Sequence, residues 1–114
     1  MAGIQYLDTL FSAIRDTAER LSTADAWMSR AERAAESTWR MSFLQAARDA
    51  QSSARSRLDE AFAQLSALGP ADRLPSLLAD LPERLEQLRG RLEASEARLT
   101  AVTNTVLQKP YGMA

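Results

Sequence analysis

The chain has 114 residues, of which 46% are hydrophobic and 25% are charged, and its formal net charge is -1 at pH 7. This composition indicates an ordered domain, and the near-neutral charge gives no global electrostatic reason to bind nucleic acid or an anionic membrane. Cysteine and histidine are both absent, which excludes thiol nucleophiles, disulfides, Cys/His metal sites and the usual general base. We therefore expect no enzymatic activity, no metal, no cofactor and no small-molecule substrate.

The N-terminus does not have the pattern of a secretory signal, because no basic segment precedes an apolar stretch. No apolar run approaches the roughly 18 residues that a transmembrane helix needs. We expect an intracellular location and no membrane partner, with leaderless secretion as the alternative location.

The first predicted element is an amphipathic helix over residues 3–21. Its apolar residues recur at intervals of three and four, which is the spacing of one helical face. They are Ile4, Leu7, Phe11, Ile14, Ala18 and Leu21. Ser22 and Asp25 resemble a capping box that would start a new helix. The alternative is that the helix continues, because neither Gly nor Pro interrupts the chain there.

A second helix is predicted over residues 24–68, a stretch without Gly or Pro. One apolar stripe follows it at about 3.64 residues per turn, which predicts a nearly straight rod of about 65 Å. Its members are Met28, Ala31, Ala35, Trp39, Phe43, Ala46, Ala50, Ala54, Leu58, Ala61, Leu65 and Leu68. Gly69 and Pro70 end this helix. Residues 69–80 are predicted to be a Pro-containing loop with a short helical turn at 76–78.

The last predicted helix spans residues 81–108 and carries the most specific pattern in the chain. Eight residues alternate at intervals of four and three, which is the seam of a coiled coil. They are Leu81, Leu85, Leu88, Leu92, Ser95, Leu99, Val102 and Val106. Ser95 is the weak point of this seam, because its hydroxyl adds little packing and needs a local hydrogen bond. Lys109 and Pro110 stop the helix, and residues 109–114 are predicted to be a tail.

The heptad helix requires a partner helix for its apolar seam. Arg84, Arg91 and Arg98 fall at g positions, where they would repel one another in an antiparallel homodimer of this helix. We therefore expect the helix to pack antiparallel on residues 44–68. The predicted fold class is all-α, with a single domain over residues 1–114 that forms an elongated helical hairpin or a three-helix bundle with coiled-coil packing.

Residues 27–47 are apolar on a second face as well. Trp27, Ala34 and Met41 form a stripe separate from the one that contains Trp39 and Phe43. This second seam is either covered by the N-terminal helix or exposed as an interface, since tryptophan is enriched at binding hot spots. The candidate interface residues are Trp27, Ala34, Trp39, Met41, Phe43, Leu85, Leu88, Leu92 and Leu99.

A row of arginines follows one sector of the predicted central helix, and no acidic residue falls in that sector. The row contains Arg30, Arg33, Arg40, Arg48 and Arg55. Arginine rows on helices are usually solvated faces. The alternative is contact with an anion or an acidic partner, for which the candidates are Arg33, Arg40, Arg48 and Arg55.

These patterns predict a non-enzymatic structural subunit or adaptor, whose helices bind protein in a homo-oligomeric or hetero-oligomeric assembly. The partners would be further copies of the chain or other subunits. The alternative function is a small helical subunit of a ribonucleoprotein or nucleic-acid complex that uses the arginine row. Nucleic acid is the less favoured partner, because the net charge is not basic and no exposed aromatic residues alternate with the arginines.

Overall fold

The computed structural model describes residues 2–69 and 76–108, with side chains described over residues 7–69, at 76 and over 78–106. In this part of the chain three long helices and one short 3-10 turn are found, without any strand. The helices are α1 (Ala2–Arg33), α2 (Ser37–Ala67) and α3 (Leu81–Gln108), and the turn covers Ser76–Leu78. The all-α prediction is confirmed, and the three-helix bundle is the alternative that the structure adopts.

The bundle is elongated, with principal extents of 61 × 22 × 17 Å. Helices α1 and α2 are antiparallel, because Asp16 pairs with Arg57 near one end while Trp27 stacks on Phe43 near the other. Helix α3 returns antiparallel to α2, as its heptad pattern predicted, and therefore runs parallel to α1. It packs against both of the other helices.

The core divides into two clusters along the bundle axis. The loop-end core, near residues 69–80, combines eight large apolar side chains with three alanines. These are Leu10, Ile14, Leu21, Leu58, Leu81, Leu85, Leu88 and Leu92 with Ala13, Ala54 and Ala61. The hairpin-end core, near the α1–α2 turn, has five large side chains and three alanines. These are Met28, Leu44, Leu99, Val102 and Val106 with Ala24, Ala31 and Ala47.

A buried polar pair lies between the two cores. The Gln51 side-chain amide donates hydrogen bonds to the backbone oxygen and to the Oγ of Ser95, both at 2.8 Å. Ser95 was predicted to find a local partner, and this is wrong, because its partner comes from the neighbouring helix. Buried polar atoms need such partners, so the pair favours one register of α2 against α3.

Alanines line the contact between α1 and α2 at intervals of seven residues. Ala24 and Ala31 on α1, and Ala47, Ala54 and Ala61 on α2, are all fully buried. Helix separation depends on the side chains at the contact, so these small residues allow the two backbones to approach closely. The α1–α2 contact is the most extensive of the three between the long helices.

The structure corrects the predicted boundary between the first two helices. Helix α1 continues through Ser22 and ends at Arg33, the chain reverses at residues 34–36, and α2 begins at Ser37. The predicted helix over residues 24–68 is therefore wrong. No residue at 34–36 predicts the reversal, because alanine and glutamate favour a helix. It is stabilised by the packing of α1 against α2, which brings together residues far apart in sequence.

The predicted apolar stripes on α1 and α2 are also rotated relative to the buried faces. On α1, Phe11 is 40% exposed, while Leu10 and Thr17 are buried. On α2, Leu44, Ala47 and Gln51 are buried, whereas Ala46 and Ala50 are only half-buried. The reason is that each of these helices contacts two neighbours, so its buried face is centred between them and not on the strongest single stripe.

The remaining predictions for the C-terminal part are confirmed within the described residues. Helix α3 has the predicted bounds, and all eight positions of its heptad seam are buried. The short turn at Ser76–Leu78 is present. Gly69 has φ 103, a left-handed conformation that ends α2 as expected for a glycine after a helix. Pro70 and the predicted tail over residues 109–114 lie outside the described residues.

Candidate functional site: the aromatic cluster at the α1–α2 hairpin

The turn between α1 and α2 is short and is built without glycine or proline. The amide of Ala34 makes a last helical bond of 3.0 Å to the Arg30 oxygen. Glu36 is extended, with φ -93 and ψ 135, and its side chain does not cap α2. The amide of Arg40 then bonds to the Glu36 oxygen at 3.1 Å, which starts the second helix.

The Arg40 side chain reaches back across this turn. Its Nε donates to the Ala34 oxygen and its Nη2 to the Ala35 oxygen, both at 2.7 Å. Carbonyls at the C-terminal end of a helix lack intrahelical partners and attract cations. Arg40 therefore holds the hairpin closed by bonding to two carbonyls just beyond the end of α1.

Three aromatic rings stack beside the turn. The Trp27 and Phe43 ring centroids are 5.6 Å apart, and those of Phe43 and Trp39 are 6.0 Å apart. The Arg30 guanidinium lies 4.9 Å from the Trp27 ring centroid, within cation-π range. Trp27 and Phe43 are half-buried against the hairpin-end core, whereas Trp39 is 57% exposed. We call Trp27, Phe43 and Trp39 the aromatic cluster.

The cluster includes only three of the five candidate interface residues from this part of the sequence. Ala34 is half-buried in the turn. Met41 is 50% exposed, but it follows Trp39 by two residues, which rotates its side chain about 200° around the helix. Met41 therefore lies on a different face of α2 from Trp39. The predicted stripe of Trp27, Ala34 and Met41 is wrong, because the turn places Trp27 and Met41 on separate helices.

The four candidate leucines of the heptad helix lie inside the bundle. Leu85 is fully buried, and Leu88, Leu92 and Leu99 are each at most 7% exposed. Their seam is covered by α1 and α2 of the same chain. In the folded monomer these side chains hold α3 in place and present no surface to a partner.

The predicted arginine row does not exist as one row, because α1 ends at Arg33. Arg30 stacks on Trp27 and Arg40 bonds to the turn carbonyls. The three remaining arginines each have a partner. Arg33 bonds to the Ser29 oxygen, Arg48 to the Gln45 side chain at 3.3 Å, and Arg55 to Glu96 at 2.6 Å. The side chains point to separate partners and do not converge on one anion site.

Two shallow grooves lie between α1 and α3. One, of about 200 Å³, is lined by Glu32, Ala101, Val102, Thr105 and Val106. The other, of about 290 Å³, is lined by Leu21, Asp25, Arg91, Ala94, Ser95 and Arg98. Both fall below the range of about 300–1,000 Å³ that is usual for small-molecule sites. Neither groove therefore competes with the aromatic cluster as the candidate site.

The described residues contain no cluster of three or more carboxylate, histidine or cysteine side chains that could hold a metal ion. Among the described helices, none combines the length and the apolar character needed to cross a membrane.

Sequence reasoning missed several residues that join the helices to one another. Arg98 on α3 reaches α1, where it contacts Asp25, Ser29 and Glu32. Gln51 could have been recognised as a polar residue among apolar ones at helical spacing. No sequence pattern indicates that Arg40 closes the turn, because this role exists only once the chain has reversed direction.

Comparison of the chain with protein-family models, curated proteins and solved structures finds no significant match.

Proposed function

We propose that the protein is a non-enzymatic assembly subunit or adaptor that binds protein through the aromatic cluster. The observation that supports this proposal is the position of Trp39, which is 57% exposed although its ring stacks on Phe43. The stacking orders the ring before any partner arrives, so binding loses little side-chain entropy. Tryptophan is one of the residue types enriched at interface hot spots.

The remainder of the described surface offers less for this role. The heptad seam is buried within the chain, and the arginines have separate intramolecular partners. Phe11 is also exposed, at 40%, but it lies at the loop end of the bundle, away from the cluster. No specific observation favours the nucleic-acid alternative, so we do not propose it as a second function.

The test is substitution of Trp39 with alanine in the purified 114-residue chain. We expect Trp39→Ala to weaken association by about 2 kcal/mol or more, which is about 30-fold in Kd. Association is measured by light scattering after size-exclusion chromatography over a concentration series, and folding by circular dichroism melts. The melting temperature should change little, because most of the Trp39 side chain is outside the core.

Phe11→Ala is the matched control, since it removes an exposed aromatic ring of α1 that is not part of the cluster. It should leave association unchanged. Equal effects of Trp39→Ala and Phe11→Ala would contradict a specific role for the cluster. So would a fall in melting temperature for Trp39→Ala with unchanged association, because Trp39 would then act only in the fold.

A further inference from the structure

We infer that the partner of the aromatic cluster is an acidic segment of another protein, which places an apolar side chain against Trp39 and a carboxylate against Arg30. This inference rests on the proposed function and deepens it, because it names the chemistry of the partner. The two can fail separately, since Trp39 and Arg30 can be substituted one at a time.

Arg30 places an uncompensated positive charge beside the cluster. Its guanidinium lies over Trp27, 4.9 Å from the ring centroid, and the residue is exposed. Among the described residues, Arg30 forms neither an ion pair nor a side-chain hydrogen bond, whereas Arg55, for example, pairs with Glu96. A guanidinium on an aromatic ring still has N–H donors whose planar arrangement matches a carboxylate. Arg30 can therefore bind a carboxylate of a partner without breaking an ion pair of the fold.

The charges around the turn are also mostly positive. Residues 30–43 contain three arginines and two glutamates. One of the glutamates, Glu32, is bound by Arg98 of α3 at 2.9 Å, so its charge is already compensated. The other, Glu36, then balances only one of the three arginines. Complementary charge attracts a partner and excludes partners of the same sign, so this end of the bundle favours an acidic partner over a basic one.

The first turn of α2 adds to this positive potential. Trp39 is the third residue of α2, and the Glu36 side chain makes no capping hydrogen bond there. Amides in the first turn of a helix carry partial positive charge and favour anions. The carbonyls at the end of α1 carry the opposite partial charge, but Arg40 bonds to two carbonyls just beyond that end. The electrostatic preference for a carboxylate thus extends from Arg30 to the exposed tryptophan.

A protein segment matches this site better than nucleic acid does. A phosphate backbone is bound by several cations together, but the other arginines near the hairpin point to separate partners. Arg33 bonds to the Ser29 oxygen and Arg48 to the Gln45 side chain. One exposed ring beside one available guanidinium instead fits one apolar side chain beside one carboxylate. Tryptophan and arginine are both enriched at the hot spots of protein interfaces.

Phe11 provides a comparison within the same chain. It is the other large aromatic side chain that is exposed among the described residues, at 40%. Asp8 lies three residues before it and Arg15 four residues after it, so both share its face of α1. These opposite charges give no preference for the sign of a partner. An acidic segment should therefore distinguish the aromatic cluster from Phe11.

The probe for the experiment is a random peptide library displayed on phage, selected on the immobilised, purified 114-residue chain. Enriched peptides are synthesised with a fluorescent label, and their Kd is measured by fluorescence anisotropy. We expect them to combine aspartate or glutamate with leucine, phenylalanine or tryptophan. Their affinity should fall as the salt concentration rises, because salt screens the charge contact.

Substitutions then separate the two contacts. Arg30→Gln should weaken binding of the enriched peptides about 10-fold or more, and Trp39→Ala about 30-fold. Arg48→Gln is the matched control, because Arg48 is an exposed arginine that follows Phe43 by five residues and so lies about 140° around α2 from it. It should leave Kd unchanged. Arg30→Glu, selected on the same library, should no longer enrich acidic peptides. Circular dichroism melts confirm that each variant folds.

The other outcomes overturn the inference in distinguishable ways. Enriched peptides that lack acidic residues, and that depend on Trp39 but not on Arg30, would leave the proposed function standing with a partner of different chemistry. Enriched peptides that bind Trp39→Ala as tightly as the unmodified chain would contradict the proposed function as well.

A selection that enriches no peptide would also overturn the inference, and light scattering of Trp39→Ala then decides the proposed function by itself. A single-stranded uridine oligonucleotide is the second probe. If it binds the unmodified chain but not Arg30→Gln, and no peptide is enriched, the site belongs to nucleic acid and not to an acidic protein segment.

Discussion

The two ends of the bundle use the same three helices but are built differently. The loop-end core packs eight large side chains from all three helices, whereas the hairpin-end core has five and is flanked by half-buried aromatic rings. Burial of large apolar side chains is the main favourable term in folding. The comparison indicates that the loop end supplies most of the stability and that the hairpin end leaves aromatic surface exposed.

The contacts between helices show the same division. At the loop end, Asp16 and Arg57 are each about three-quarters buried and pair at 2.8 Å. At the hairpin end, Arg98 contacts Asp25 and Glu32 with all three side chains at least 39% exposed. Exposed ion pairs contribute little stability. The exposed α1–α3 ion pairs at the hairpin end are therefore expected to stabilise the fold less than the part-buried α1–α2 pair at the loop end. A groove lies beside Glu32 at the hairpin end.

The largest expected effect comes from matched leucine truncations in the two cores. We expect Leu85→Ala, in the loop-end core, to lower the free energy of unfolding by about 4 kcal/mol, and Leu99→Ala, in the hairpin-end core, by about 2 kcal/mol. The reason is that the cavity at the hairpin end can relax toward a groove. Urea denaturation followed by circular dichroism measures both. Equal losses would mean that the two cores are equivalent.

A second, smaller effect concerns the polar pair that separates the cores. Gln51→Ala leaves the buried Ser95 hydroxyl without its partner, so we expect a loss of about 1–3 kcal/mol in the free energy of unfolding. Gln51→Leu combined with Ser95→Ala removes both polar groups and joins the two cores, and it should restore most of that loss. If the double variant is as unstable as Gln51→Ala, the pair does not act as a hydrogen-bonded unit.

The smallest expected effect concerns helix propensity in α3, which we compare between the two ends of the bundle. A Cβ added at Gly90 would meet nothing within 4 Å, so Gly90→Ala should raise the free energy of unfolding by about 1 kcal/mol through helix propensity. Ala97→Gly, at an exposed site on the other side of Ser95, should lower it by about the same amount. Unequal magnitudes in urea melts would show that the ends differ in more than core packing.

Most of the α3 prediction succeeded because a heptad pattern lies within one continuous segment and predicts a helix with one buried face. The spacing from Leu81 to Val106 predicted the bounds of the helix, its buried face and its antiparallel packing on α2. Gly69 likewise marked the end of α2, since a left-handed residue there favours glycine. For the candidate site, the sequence identified Trp27, Trp39 and Phe43 but placed them on one helix together with Met41.

The sequence by itself determined that the chain is all-helical, where the last helix lies and which of its faces is buried, because these follow from apolar periodicity. Only the tertiary structure decided where the first two helices separate. Residues 34–36 favour a helix locally, and the reversal depends on the packing of α1 against α2 and on the Arg40 bonds to the turn. Local propensity differs by only about 1 kcal/mol or less per ordinary residue, so packing between distant segments decides such a boundary.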